Sequence, residues 1–126
     1  IEEIKQSGIS WYPSLPTIEF INLYRRASAL VGNSSSGIHE TPTLKIPAIN
    51  IGTRQMGRER AENVIDVSHQ KDAIMIAIHK ALNDTAFLQK VKNIHNPYGD
   101  GTSAEKIVKI LKTVSLDNLI QKQFVD

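Results

Sequence analysis

Apolar positions along this chain follow two alternating rhythms. Ala29-Leu30-Val31, Pro47 to Ile51, and Val64-Ile65 with Val67 are short, nearly continuous runs of the kind found in strands buried on both faces. Between them the apolar residues recur at helical spacing. Ile18, Ile21, Tyr24 and Ala27 stand three apart among Glu19, Asn22, Arg25 and Arg26, and Pro16 sits where a first helical turn tolerates a missing N–H. Ile74, Ala77, Ile78, Ala81 and Leu82 mark a second, stronger helix. Ile9, Trp11 and Tyr12, closed by Pro13, predict one more short strand near the start. Asn33 to Gly37 reads as a polar hinge into a short helix that Pro42 kinks or ends, because proline removes a backbone donor.

Short buried strands separated by helices call for a parallel sheet covered on both faces, since parallel strands need crossover connections. The fold class expected is α/β, a Rossmann-like parallel sheet with flanking helices. The tail reads differently. Phe87 to Val91 predicts a short helix, and Asn96-Pro97-Tyr98-Gly99-Asp100-Gly101 is a dense cluster of turn formers. Thr102 or Ser103 can cap a last helix with Ile107, Ile110, Leu111 and Val114 facing inward and Lys106, Lys109 and Lys112 outward. Leu116, Leu119, Ile120 and Phe124 predict a further amphipathic helix, so that 102–126 is expected to dock on something outside this chain.

Composition narrows the chemistry. The 126 residues include no Cys, which excludes disulfides and thiol catalysis, and 15 Lys+Arg against 13 Asp+Glu leave a charge of only +2, too balanced to point to nucleic acid. No apolar run approaches the roughly 18 residues of a membrane span and no leader-like segment opens the chain, so a cytoplasmic protein without membrane association is expected. The chain starts at Ile1 rather than Met, inside an amphipathic-looking segment, which predicts a piece of something longer. His39, His69, His79 and His95 are scattered without metal-ligand spacing, so no metal and no cofactor are expected. His39 adjoins Glu40, but neighbours on a helix point in different directions, which disfavours a paired acid–base role. Ser35 lacks the glycine that would open a Gly-x-Ser-x-Gly elbow, which disfavours a hydrolase nucleophile.

The densest signal is Gly32-Asn33-Ser34-Ser35-Ser36-Gly37, between a buried strand and a helix. In open parallel sheets ligands collect beyond the carboxyl ends of the strands, where a helix start aims N–H groups at anions. Ser34, Ser35 and Ser36 add uncharged donors, and Gly32 and Gly37 allow the backbone to approach a phosphate. The same run also reads as a plain turn and N-cap. Glu40 follows at the same mouth, suited to vicinal sugar hydroxyls or, alternatively, to the helix dipole. After the next strand, Gly52 to Arg60 holds Arg54, Arg58 and Arg60 with two Gly, a flexible cationic arm. Arg54 or Arg58 could close over a diphosphate held by the Ser loop, and Arg60 is expected to pair with Glu59 or Glu62 at the surface.

Gly32-Asn33-Ser34-Ser35-Ser36-Gly37-Ile38-His39-Glu40, then Ile46 through Arg58, then Glu62-Asn63-Val64-Ile65, resemble the hydrolysing UDP-N-acetylglucosamine 2-epimerases of sialic-acid-type synthesis. The resemblance extends through Tyr12-Pro13-Ser14-Leu15-Pro16 and the Asn96 to Gly101 cluster, over most of the chain. It implies a GT-B-type pair of Rossmann-like domains with a UDP-sugar in the cleft, residues 1–126 being part of the C-terminal, nucleotide-binding one. By the same resemblance Ser34, Ser35 and Arg54 hold the diphosphate, Glu40 the ribose, and the loop around Leu15 borders the uracil. Ser36, Gly37 and Arg58 complete the candidate nucleotide site.

The implied reaction eliminates UDP from C1 as the C2 proton leaves, giving a glycal that water converts to free N-acetylmannosamine. Matching acid–base residues are not found in this chain, so it is expected to lack turnover by itself and to act within a homo-oligomeric full-length enzyme. The donor-nucleotide domain of a GT-B glycosyltransferase and a non-catalytic assembly domain are the alternatives. Base and sugar stay open.

Overall fold

The computed structural model describes residues 7–115. Its elements run α1 (Thr17–Tyr24), β1 (Leu30–Gly32), α2 (Ser36–His39), α3 (Thr41–Leu44), β2 (Ala48–Ile51), β3 (Val64–Val67), α4 (Lys71–Asn83), α5 (Thr85–Asn93) and α6 (Ser103–Thr113). The three strands form one parallel sheet in the order β1-β2-β3, with Leu30 opposite Ala48 and Ala48 opposite Val64. The buried apolar runs thus become strands, and helices cover both sides. Side chains alternate across a strand. Ile49, fully buried, faces α4 and α5 and packs with Ala77, Ala81, Phe87 and Val91. Ala48 and Leu30 face the opposite way, onto α2.

Two devices hold α2 and α3 against the sheet. Gly37 is buried, and a Cβ there would come 2.8 Å from Leu30 Cδ2. Asn63, at 0% exposure, donates through Nδ2 to Thr41 Oγ1 (2.8 Å) and to the Ile46 carbonyl (2.7 Å), and the Thr41 hydroxyl donates to the Gly37 carbonyl at 2.8 Å. This buried chain links the start of β3 to both short helices. Helix α5 begins where Asp84 accepts from the Phe87 N–H at 2.9 Å, an N-cap that the apolar spacing does not reveal.

Three expectations fail. Residues 9–12 form no strand: Ile9, Trp11 and Tyr12 are exposed, and a strand needs a neighbour for its N–H and C=O groups. In α1 the inward residues are Phe20, Ile21 and Tyr24, with Phe20 and Tyr24 paired at 4.1 Å between ring centroids, while Ile18 is 77% exposed and Ala27 lies beyond the helix. The aromatic pair at i, i+4 sets the rotation of α1, overriding the three-residue row. Ile107, Ile110 and Leu111 of α6, and Val114 just past its end, are exposed, and no buried residue lies on that helix. Periodicity identifies an apolar face but not what covers it, and Leu116, Leu119, Ile120 and Phe124 lie outside the described residues. Thr102 stands at the N-cap of α6 without a side-chain cap bond; its hydroxyl donates to Asp100 instead.

Candidate functional site at the carboxyl ends of the strands

Chain direction puts the loops after β1 and β2 side by side, because these strands are parallel neighbours with Gly32 opposite Asn50. The loop after β1 is tightly turned. Gly37 N–H donates to the Ser34 carbonyl (3.1 Å) and Ile38 N–H to that of Ser35 (2.9 Å), while Ser36 N–H reaches the Ser34 hydroxyl at 3.3 Å. The N–H groups of Ser34 and Ser35 have no protein acceptor among the described residues. These two donors, with the Ser34 and Ser35 hydroxyls, are what the turn offers an anion. Gly37 offers no free N–H, and its missing side chain serves packing onto Leu30 and Ala48.

The loop after β2 leaves the strand at Gly52, whose φ of +78° and close approach to the His69 ring (2.5 Å from an added Cβ) suit glycine alone. It is stapled down, not a flexible arm. Arg54 Nη1 donates to the Asn33 carbonyl at 3.1 Å, and Gln55 Nε2 donates to the same carbonyl at 2.8 Å. Arg60 donates to the carbonyls of Gln55 (2.7 Å) and Arg58 (3.2 Å) and pairs with Asp66 on β3. Arg60 is therefore an internal brace whose carboxylate is Asp66, not Glu59 or Glu62, because the loop folds back along β3. Gln55, 2% exposed, is the residue that sequence reading passed over. A polar side chain inside a cationic loop gives no periodic signal, and only its burial against Asn33 reveals its function.

Positions four apart on a helix share a face, and the short helices use this to sort the serines. Ser36 and Glu40 both fall on the side of the Tyr24 hydroxyl at the end of α1, Ser36 hydrogen-bonded to it and the Glu40 carboxylate acting on it through its charge. Burial pushes the Tyr24 phenol up, the Ser36 hydroxyl beside it works the other way, and the Glu40 carboxylate adds to the rise. Glu40 Oε2 is shielded from solvent and has no donor among the described residues. Ser35 and His39 share the neighbouring face, where Arg58 Nη1 lies 2.9 Å from His39 Nε2. The structure thus brings Ser34, Ser35 and Arg54 together around Asn33, puts Ser36 and Glu40 on the Tyr24 side, and holds Arg58 at His39. Tyr24 looked like a core-facing residue in sequence; its apolar ring fills that place while its hydroxyl reaches the site.

Leu15 is half-buried and lines an apolar cavity of about 450 Å³ with Tyr12, Pro13, Ser14, Phe20 and Leu23. No residue of the Ser or Arg loops lines it, but Phe20 packs at a tilt against Tyr24, whose hydroxyl bonds with Ser36, so the aromatic pair connects cavity and loop. A second cavity of about 540 Å³, under the Asn96–Gly101 turn, includes Thr43, Lys45 and Lys106 and none of the Ser-loop residues. No group of three or more metal-ligating side chains, and no helix long and apolar enough to cross a membrane, occurs among the described residues.

Comparison with known proteins gives a consistent result. The family model described as UDP-N-acetylglucosamine 2-epimerase matches residues 1–112. The chain is 42% identical over 116 residues to the GDP/UDP-N,N'-diacetylbacillosamine 2-epimerase (hydrolyzing) of Campylobacter jejuni, covering 91% of this chain and 29% of that protein. It is 41% identical over 102 residues to the UDP-N,N'-diacetylbacillosamine 2-epimerase (hydrolyzing) of Legionella pneumophila, covering 81% and 26% respectively. Among solved structures, UDP-GlcNAc 2-epimerase from Methanocaldococcus jannaschii superposes with a TM-score of 0.66 at 26% identity, over 88% of this chain and 30% of that one. That fold is of GT-B type, in agreement with the α/β class expected. The chain spans less than a third of the length of each of these three relatives.

Proposed function

Given that this chain belongs to the UDP-N-acetylglucosamine 2-epimerase family, we propose that it supplies the nucleotide-binding part of a hydrolysing UDP-sugar 2-epimerase. The observation that carries this is that Arg54, from the loop after β2, donates to the carbonyl of Asn33, the residue just before Ser34, so that its guanidinium stands at the Ser loop. The diphosphate lies on the N–H and hydroxyl groups of Ser34 and Ser35 with Arg54 across from them. Glu40, whose Oε2 lacks a donor, accepts from the ribose hydroxyls, and the base extends toward Leu15 along the Phe20–Tyr24 pair.

In the reaction the C1–O bond to UDP breaks as the C2 proton passes to a base outside this chain, and water then adds across the resulting glycal to give the free 2-epimeric amino sugar. Negative charge grows on the β-phosphate as UDP leaves. Preorganised donors aimed at that charge stabilise the transition state more than the ground state. This chain therefore assists the leaving group, and by itself turns nothing over. Titrating UDP into the chain while following amide resonances tests the reading: shifts concentrated at Ser34 to Glu40 and at Arg54 are expected, and their absence at millimolar UDP refutes it.

A further inference from the structure

The His39 ring is held from two sides. Arg58 Nη1 lies 2.9 Å from its Nε2, and the Tyr98 ring stacks on it with centroids 4.3 Å apart and planes 26° from parallel. A guanidinium has donors only, so Nε2 is the acceptor and the neutral ring carries its proton on Nδ1. The Asn96–Gly101 turn closes around this contact. Asn96 Nδ2 donates to the His39 carbonyl and to Thr43 Oγ1, both at 2.8 Å, and Tyr98 Oη donates at 2.8 Å to the carbonyl of Glu59, the residue after Arg58. The turn thus grips the end of α2 and the Arg loop together.

His39 N–H donates to the Ser35 carbonyl at 3.0 Å, so the two residues share a helix face about 6 Å apart along the axis. An unrestrained arginine loses much rotamer freedom when it takes hold of a ligand, and holding it beforehand removes that cost from binding. We propose that His39 is a positioning residue: clamped by Tyr98, its neutral imidazole holds the Arg58 guanidinium one helical turn from Ser35, poised for the phosphates of the nucleotide. This rests on the nucleotide-binding reading above.

The test is a double-mutant cycle on the UDP dissociation constant, measured by calorimetry in the full-length protein. His39→Leu and Arg58→Ala are each expected to weaken binding about three- to tenfold, and the double variant no more than Arg58→Ala alone. His39→Gln, whose Oε1 replaces Nε2 as acceptor, is expected to stay within about twofold of wild type. Should His39→Leu fail to fold, Tyr98→Leu replaces it, with a loss that likewise vanishes in the Arg58→Ala background. Losses that multiply in the double variant, or a His39→Gln as weak as His39→Leu, overturn this inference and leave the nucleotide reading standing. No UDP binding by the wild type overturns both.

Discussion

Arg54 and Asn33, 21 positions apart in the chain, meet at 3.1 Å where the guanidinium of one donates to the carbonyl of the other. That bond ties the loop after β2 to the loop after β1 and leaves the remaining guanidinium N–H groups available at the edge of the Ser loop.

If those groups face a diphosphate, Arg54→Ala removes charge-assisted hydrogen bonds worth about 1.5–3 kcal/mol, an affinity loss of roughly 10- to 100-fold for UDP. Arg54→Lys is expected to recover little, because an ammonium lacks the fork that holds both a carbonyl and a phosphate. Calorimetric titration of the two variants checks this, and equal recovery by lysine would argue for a plain charge effect.

Glu40 and Tyr24 should report on each other. The Tyr24 phenol is held above its ordinary value first by burial, with the Glu40 carboxylate adding to the rise. The neutral phenol is thus favoured in the fold, so its contribution to stability is intact below the ordinary tyrosine range and is lost as pH rises through the native value. Glu40→Gln is expected to lower the Tyr24 transition in an ultraviolet titration. The same variant should weaken UDP about tenfold, while leaving 2′,3′-dideoxy-UDP less affected, since only a ribose diol uses the carboxylate.

Asn63 holds the floor of the site. Its replacement by Leu leaves the Ile46 carbonyl without its buried donor and deprives Thr41 Oγ1 of a partner, at a cost of about 2–3 kcal/mol. Urea unfolding measures that cost. Hydrogen exchange at Gly37 and Ile38 is expected to quicken in parallel, because the Thr41 hydroxyl hangs from Asn63 and anchors α2.

Asp100 fixes the turn that grips His39. The hydroxyl and N–H of Thr102, with Lys106 beside them, hold its carboxyl well below the usual carboxylate range. The charged form is favoured in the fold, so this contribution is present above about pH 4 and is lost only as pH falls through the depressed native value. Asp100→Asn is therefore expected to loosen the Asn96–Gly101 turn at neutral pH, seen as faster exchange at the Tyr98 and Thr102 amides. Unchanged exchange there would show that Asn96 and Tyr98 suffice.

Much of the fold was legible because burial leaves a linear trace. Ile49 and its neighbours on β2 sit in a continuous apolar run, and Ala77 and Ala81 recur at helical spacing, so strands, crossovers and a parallel sheet follow from hydrophobic matching alone. The placement of Ser34 and Ser35 beside a strand end was legible for a related reason: they follow directly on β1, and the α/β plan concentrates ligands at such ends. The strand expected at 9–12 and the inward face expected of α6 were misread because an apolar row records the need for a partner without naming it.

By itself, then, the sequence determined the α/β plan, the strand ends at which the candidate site was sought, and the family to which its motifs point. Tertiary structure decided which residues meet there: Arg54 and Gln55 at Asn33, Tyr24 at Ser36, and Arg58 at His39 rather than at Ser34. The reason is physical. Hydrophobic periodicity is a property of neighbours along the chain, whereas a hydrogen bond between loops 20 residues apart depends on how two parallel strands bring their ends together.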